Sequence, residues 1–157
     1  MSSELDTKDM IILNMLQENG RVSYSEMARK LGVSEAAVYT RVQKLIKNGY
    51  IKRFQAVLND EKLGYGLLAF ISIRAQPSRY NDILKKLAGF EEIQEVHDVT
   101  GDYYCLLKVR TRSKDELAEL LDNIGRIEGI VSTETKVVLR TIKETQSIPL
   151  RKALKQS

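Results

Sequence analysis

The chain has 157 residues, 43% of them hydrophobic, and a formal net charge of +4, enough for one domain or two small ones with modest cores. It has no apolar run long enough to span a membrane and no leader-like apolar stretch, so no membrane partner is expected and a cytoplasmic location is. Cys105 is the only cysteine, which excludes an intramolecular disulfide, and its apolar neighbours mark it as a core residue.

The first helix is predicted over 6–18, with Asp6 as N-cap and Asp9 at its third position. Ile12, Leu13 and Leu16 fall on one face, and Gly20 closes the segment. Ser23 and Glu26 make an S-x-x-E capping box for a second helix that buries Met27, Ala28 and Leu31. Gly32 permits a sharp turn, and Ser34 caps a third helix with Val38, Val42 and Leu45 inward, closed by Gly49. Two short helices around a tight glycine turn are the arrangement that places a helix in the major groove of DNA.

The outward side of the third helix carries Ala36, Thr40, Gln43 and Lys47, flanked by Tyr39 and Lys44. Small residues near its start allow close approach to bases. Thr40 and Gln43 can donate to and accept from base edges, while Arg41, Lys44 and Lys47 suit phosphates or guanine edges. Over 34–53 the positive charges Arg41, Lys44, Lys47, Lys52 and Arg53 face Glu35 alone, and Arg151, Lys152 and Lys155 add a basic tail over 151–157. The bland alternative is a solvated helix face. Double-stranded DNA is the expected partner, with Ser34, Ala36, Tyr39, Thr40, Arg41, Gln43, Lys44, Lys47, Lys52 and Arg53 as contact residues.

Residues 51–58 read as a strand with imperfect alternation, so Lys52 and Arg53 would lie on a rudimentary wing or linker strand, or simply charge an edge strand. The turn-rich 59–66 is the expected linker, dividing a DNA-binding domain over 1–58 from a second domain over 59–150. In the second domain strands are predicted over 67–75, 93–101, 102–111 and 130–142, with helices over 78–90 and 113–127. The second helix opens on a Ser113/Glu116 capping box, and a hairpin turn falls at Gly101-Asp102. The fold class is therefore α+β, an N-terminal winged helix-turn-helix domain followed by a ferredoxin-like βαββαβ domain with both helices on one sheet face. The other face, with Leu68, Phe70, Ser72 and Arg74 on one side of the first strand, needs burial and predicts an obligate dimer.

With both halves in view, the chain resembles the Lrp/AsnC (feast/famine) family of transcription regulators. The residues that carry the resemblance are LDTKDMIILNMLQENGR (5–21), LGVSEAAVYTRVQKLIKNGYIKRF (31–54), LNDEKLGY (58–65), VTGDYYCLLKV (99–109) and IGRIEGIVSTET (124–135). The resemblance implies homodimers assembling into tetramers, octamers or larger rings. It also implies a free amino acid as effector, bound between dimers near the hairpin and the start of the last strand. The candidate effector residues are Val99, Thr100, Gly101, Asp102, Tyr103, Tyr104, Asp122, Thr133, Glu134 and Thr135. Many members carry Asp where this chain has Tyr104, which bears on which ligand is accepted.

Backbone N–H groups at the Gly101 turn suit a ligand carboxylate, and Asp102, Asp122 and Glu134 suit positive charge. No cofactor and no metal are called for, because no Cys/His cluster, P-loop or dinucleotide fingerprint is present. Two alternatives use the same architecture: a sirohaem-decarboxylase-like enzyme, with His97 and Tyr103 drawn in, and a ligand sensor that does not bind DNA.

Overall fold

A computed structural model describes residues 5–150, so the basic tail over 151–157 lies outside the described residues. The described residues divide into two compact units, 5–57 with 144–150 and 58–143. Residues 144–150 group with the helical unit, for a reason visible at Gln17.

The helical unit holds α1 (Thr7–Glu18), α2 (Tyr24–Leu31) and α3 (Glu35–Lys47). Local chemistry sets each start. Asp6 accepts from the Asp9 N–H at 2.8 Å, and the Asp9 carboxylate accepts from the Asp6 N–H at 3.2 Å, a reciprocal box. Ser23 and Ser34 accept from the N–H groups of Glu26 and Ala37, both at 3.1 Å. Gly32 turns the chain between α2 and α3 at φ 64°, a left-handed conformation that favours glycine.

Ile12, Met15, Met27, Ala28, Val38, Val42 and Leu45 form the core. Leu13, Leu16 and Leu31, expected inside, are only partly buried, and Met15 takes the place expected for Leu16. Leu13 and Leu16 instead line an apolar groove with Met10, Tyr50, Ile51, Phe54, Ile148 and Leu150. The Gln17 amide donates to the Ile148 carbonyl at 2.8 Å and accepts from its N–H at 3.0 Å, pairing with that backbone as a neighbouring strand would. This is what draws 144–150 to the helical unit.

The expected strand over 51–58 is absent. The segment has no ladder partner, and Val57 is 98% exposed. Alternating apolar side chains do not make a strand without a neighbour for the backbone hydrogen bonds. Lys52 and Arg53 therefore lie on irregular backbone and not on a paired wing.

The second unit runs β1 (Leu67–Ala75), a 3-10 turn (Pro77–Arg79), α4 (Tyr80–Leu87), β2 (Ile93–Asp98), β3 (Cys105–Thr111), α5 (Lys114–Gly125) and β4 (Ile130–Val137). The antiparallel sheet has the order β2-β3-β1-β4. Ala69, Ile71 and Ile73 of β1 and Cys105, Leu107 and Val109 of β3 pack with Ile83, Leu87, Leu117, Leu120 and Ile124 of the helices. The other face shows Phe70, Ser72 and Arg74, with Lys108 opposite Phe70 and Glu134 opposite Ser72.

The expected hairpin is wider than a two-residue turn. β2 stops at Asp98 and β3 starts at Cys105, leaving a loop over 99–104; β4 likewise ends at Val137, not 142. The second capping box is also rearranged. Ser113 caps the Glu116 N–H at 3.2 Å, but the Glu116 carboxylate accepts from the Arg112 N–H at 2.8 Å.

Candidate functional site

Helix α3 presents two different sides. Val38, Val42 and Leu45 lock it to α1 and α2, while Ala36, Tyr39, Thr40, Gln43, Lys44 and Lys47 are exposed. Ser34 sits at the N-cap and is committed to the Ala37 N–H. The Thr40 hydroxyl donates to the Ala36 carbonyl at 3.0 Å and keeps its lone pairs outward. Tyr39 meets Tyr24 edge-on, with ring centroids 5.8 Å apart, which pairs the exposed side of α3 with the first residue of α2. Gln43, Lys44 and Lys47 form no hydrogen bond or ion pair among the described residues, so their polar ends are available.

Arg41 is different. Its Nη1 donates to Asp6 Oδ2 and to Asp9 Oδ1, both at 2.7 Å, tying α3 to the cap of α1. The Asp6 carboxyl is held below its ordinary range, first by the Asp9 backbone N–H and then by Arg41, against an opposing effect of burial. Arg41 is therefore engaged inside the domain, and the basic set facing outward reduces to Lys44, Lys47, Lys52 and Arg53. Arg53 Nε donates to Gln55 at 2.7 Å.

In the second unit the structure gathers part of the expected effector set at one loop. Val99 donates its N–H to the Tyr104 carbonyl at 2.9 Å, closing the loop, and Tyr104 donates its own to Ile73 at 3.2 Å. Thr100, Gly101 and Asp102 are exposed. Gly101 has φ 113°, and a side chain there would meet nothing within 4 Å, so glycine serves the backbone conformation and not a close contact. Arg74, which sequence reasoning placed only on the open sheet face, holds this loop. Its Nε donates to the Asp102 carbonyl at 3.1 Å, and its guanidinium lies 5.1 Å from the Tyr103 ring centre.

The remaining expected residues do not converge. Glu134 lies opposite Ser72 on the open sheet face, ion-paired to Lys136 at 2.6 Å, and that lysine holds its carboxyl below the ordinary range. Thr133 and Thr135 lie opposite Ile73 and Ile71, on the face where the helices pack. Asp122 is exposed on α5, on that helical side. One chain thus presents Asp122 and Glu134 to opposite sides of its sheet. His97 pairs with Glu95 at 2.9 Å on the open face, and no group of three His, Cys, Asp or Glu side chains fit to hold a metal occurs among the described residues.

Comparison with known proteins decides the family. The Lrp/AsnC ligand binding domain matches residues 68–148, and a winged helix-turn-helix DNA-binding domain matches 5–52. The chain belongs to the Lrp/AsnC family. The HTH-type transcriptional regulator FL11 of Pyrococcus furiosus is 40% identical over 151 residues, covering 96% of this chain and all of that one. AsnC of E. coli superposes with a TM-score of 0.87 at 34% identity, covering 92% of this chain and 98% of its own. A transcriptional regulator of Neisseria meningitidis, solved as an L-Met complex, superposes at 0.90 with 27% identity, covering 96% and 99%. This Lrp/AsnC chain therefore carries the family's two domains in the family's order. No helix among its described residues is long and apolar enough to cross a membrane.

Proposed function

We propose that the chain is a sequence-specific DNA-binding transcription regulator whose DNA affinity or assembly responds to a free amino acid. The observation that carries the DNA half is α3, a helix locked by three buried side chains with Thr40, Gln43, Lys44 and Lys47 on its exposed face. Gln43 and Thr40 read base edges, while Lys44, Lys47, Lys52 and Arg53 hold phosphates. The effector half is supported by the L-Met complex of the Neisseria relative and by the exposed loop over 99–104.

The amino acid is taken up by this loop. Backbone N–H groups around Gly101 face its carboxylate, Asp102 is the acid nearest at hand for its ammonium group, and Thr133, Glu134 and Thr135 contribute across a contact between copies. The open sheet face, with Phe70 half-buried and flanked by Lys108 and Lys136, packs against a second copy and makes the dimer, and dimers assemble further.

Selection of bound duplexes from random DNA, repeated with each of the twenty amino acids, tests both halves. The expected result is a near-palindromic site whose occupancy shifts with one amino acid or a few. Recovery of no preferred site sinks the DNA half. A site indifferent to all twenty, together with no calorimetric binding at millimolar concentration, sinks the effector half.

A further inference from the structure

We propose that the Tyr80 hydroxyl sets the conformation of the 99–104 loop and thereby the affinity for the amino-acid effector; the affinity part rests on the effector reading above. Tyr80 is the first residue of α4, remote in sequence from the loop it touches. Its Oη lies within hydrogen-bond reach of two acceptors, Asp98 Oδ1 at 3.0 Å, at the last residue of β2, and the Tyr104 carbonyl, immediately before β3. One side chain therefore reaches both ends of the loop, within hydrogen-bond distance of an acceptor at each. Its ring also meets the Tyr104 ring edge-on, at 6.0 Å between centroids.

A phenol has one proton, and here it has two acceptors. The Asp98 carboxylate is the stronger of them, since a bond to an ionised acceptor is charge-assisted. The Tyr104 carbonyl also receives the Val99 N–H at 2.9 Å, so it keeps a donor when the phenol turns to Asp98. Burial first, and the Asp98 carboxylate second, push the phenol's pKa up, so the group stays a protonated donor across the working pH range. Arg74 secures the other side of the loop at the Asp102 carbonyl and the Tyr103 ring. The exposed stretch Thr100–Gly101 is thus suspended between a neutral anchor and a cationic one. A ligand that binds one loop conformation loses apparent affinity in proportion to the fraction of chains that leave it.

The test compares the full-length wild type with Y80F and D98N. Y80F keeps the ring against Tyr104 and removes only the hydroxyl. Hydrogen exchange is read at the Val99 amide and at Ile71 in the central strand, and calorimetry is run against the twenty amino acids. In Y80F, exchange at Val99 should quicken about tenfold with Ile71 unchanged, and the effector Kd should weaken about five- to tenfold, the scale of one lost hydrogen bond. D98N, which keeps an acceptor but loses its charge, should fall between the two. Wild-type exchange at Val99 in Y80F overturns the proposal whatever the protein binds, and faster exchange at Val99 and Ile71 alike also overturns it by showing general loosening. If the wild type binds no amino acid while Val99 alone quickens in Y80F, the effector reading fails and the role in setting the loop stands.

Discussion

Replacing Arg41 by Ala separates a helix clamp from a DNA contact. The guanidinium reaches two carboxylates at 2.7 Å, with side-chain exposures of 31% for Arg41, 50% for Asp6 and 15% for Asp9. Exposed pairs contribute about 0.2–1 kcal/mol each, and Arg41 also neutralises two carboxylates held beside each other in the α1 cap. The substitution should therefore cost about 1 kcal/mol at pH 7, or roughly 4–8 °C in the unfolding of a unit this small. The pH dependence has a definite sign. The folded-state pKa of Asp6 is depressed, so its contribution is present above the ordinary carboxylate value and is lost as pH falls through the depressed one. The stability gap between wild type and R41A, read by circular dichroism on heating, should be full at pH 7 and narrow as Asp6 protonates. The salt dependence of DNA binding should not change. An R41A variant with wild-type stability, and a salt slope lower by about one unit, would refute the clamp and return Arg41 to the phosphates.

Gly129→Ala should destabilise the second unit by roughly 1–3 kcal/mol, seen as a lower denaturant midpoint. Gly129 has φ 100°, and a Cβ there would lie 3.1 Å from Arg79 Cβ and Ile83 Cδ1; an unchanged midpoint would show that this backbone relaxes freely. Cys105 is fully buried and its thiol is pushed up to about 11, chiefly by burial, so a thiol reagent at pH 8 should label it slowly in the native protein and quickly in denaturant. Light scattering of residues 58–143 should show a dimer at micromolar concentration, and a stable monomer would contradict packing of the open sheet face on a second copy.

What was legible in the sequence is mostly local. Asp6, Ser23, Ser34 and Ser113 announce their helices because a cap acts over three residues, and the inward set Val38, Val42 and Leu45 follows from helical spacing alone. From Ala69 on, the alternation in β1 likewise separates the core side from the open side, whereas Leu68, expected on the open side, is buried. What escaped depends on partners far along the chain. Arg41 reads as a phosphate ligand until Asp6 and Asp9 are brought to it from α1. Residues 51–58 read as a strand because side-chain pattern does not reveal whether a ladder partner exists. The split between Asp122 and Glu134 depends on strand register and helix placement, and Tyr80 shows no motif, because its two acceptors lie across the fold. Gln17 was missed for the same reason, since Ile148 is 131 residues away.

The claim that α3 reads DNA is tested most directly by fluorescence anisotropy on a selected duplex and on a scrambled one, across a range of salt, for the wild type, Q43A and K44A. The account expects the wild type to prefer the selected duplex. In Q43A that preference should shrink about tenfold with the salt slope intact, and in K44A both duplexes should weaken alike with the slope falling by about one unit. Preference and slope unchanged in both variants would contradict it.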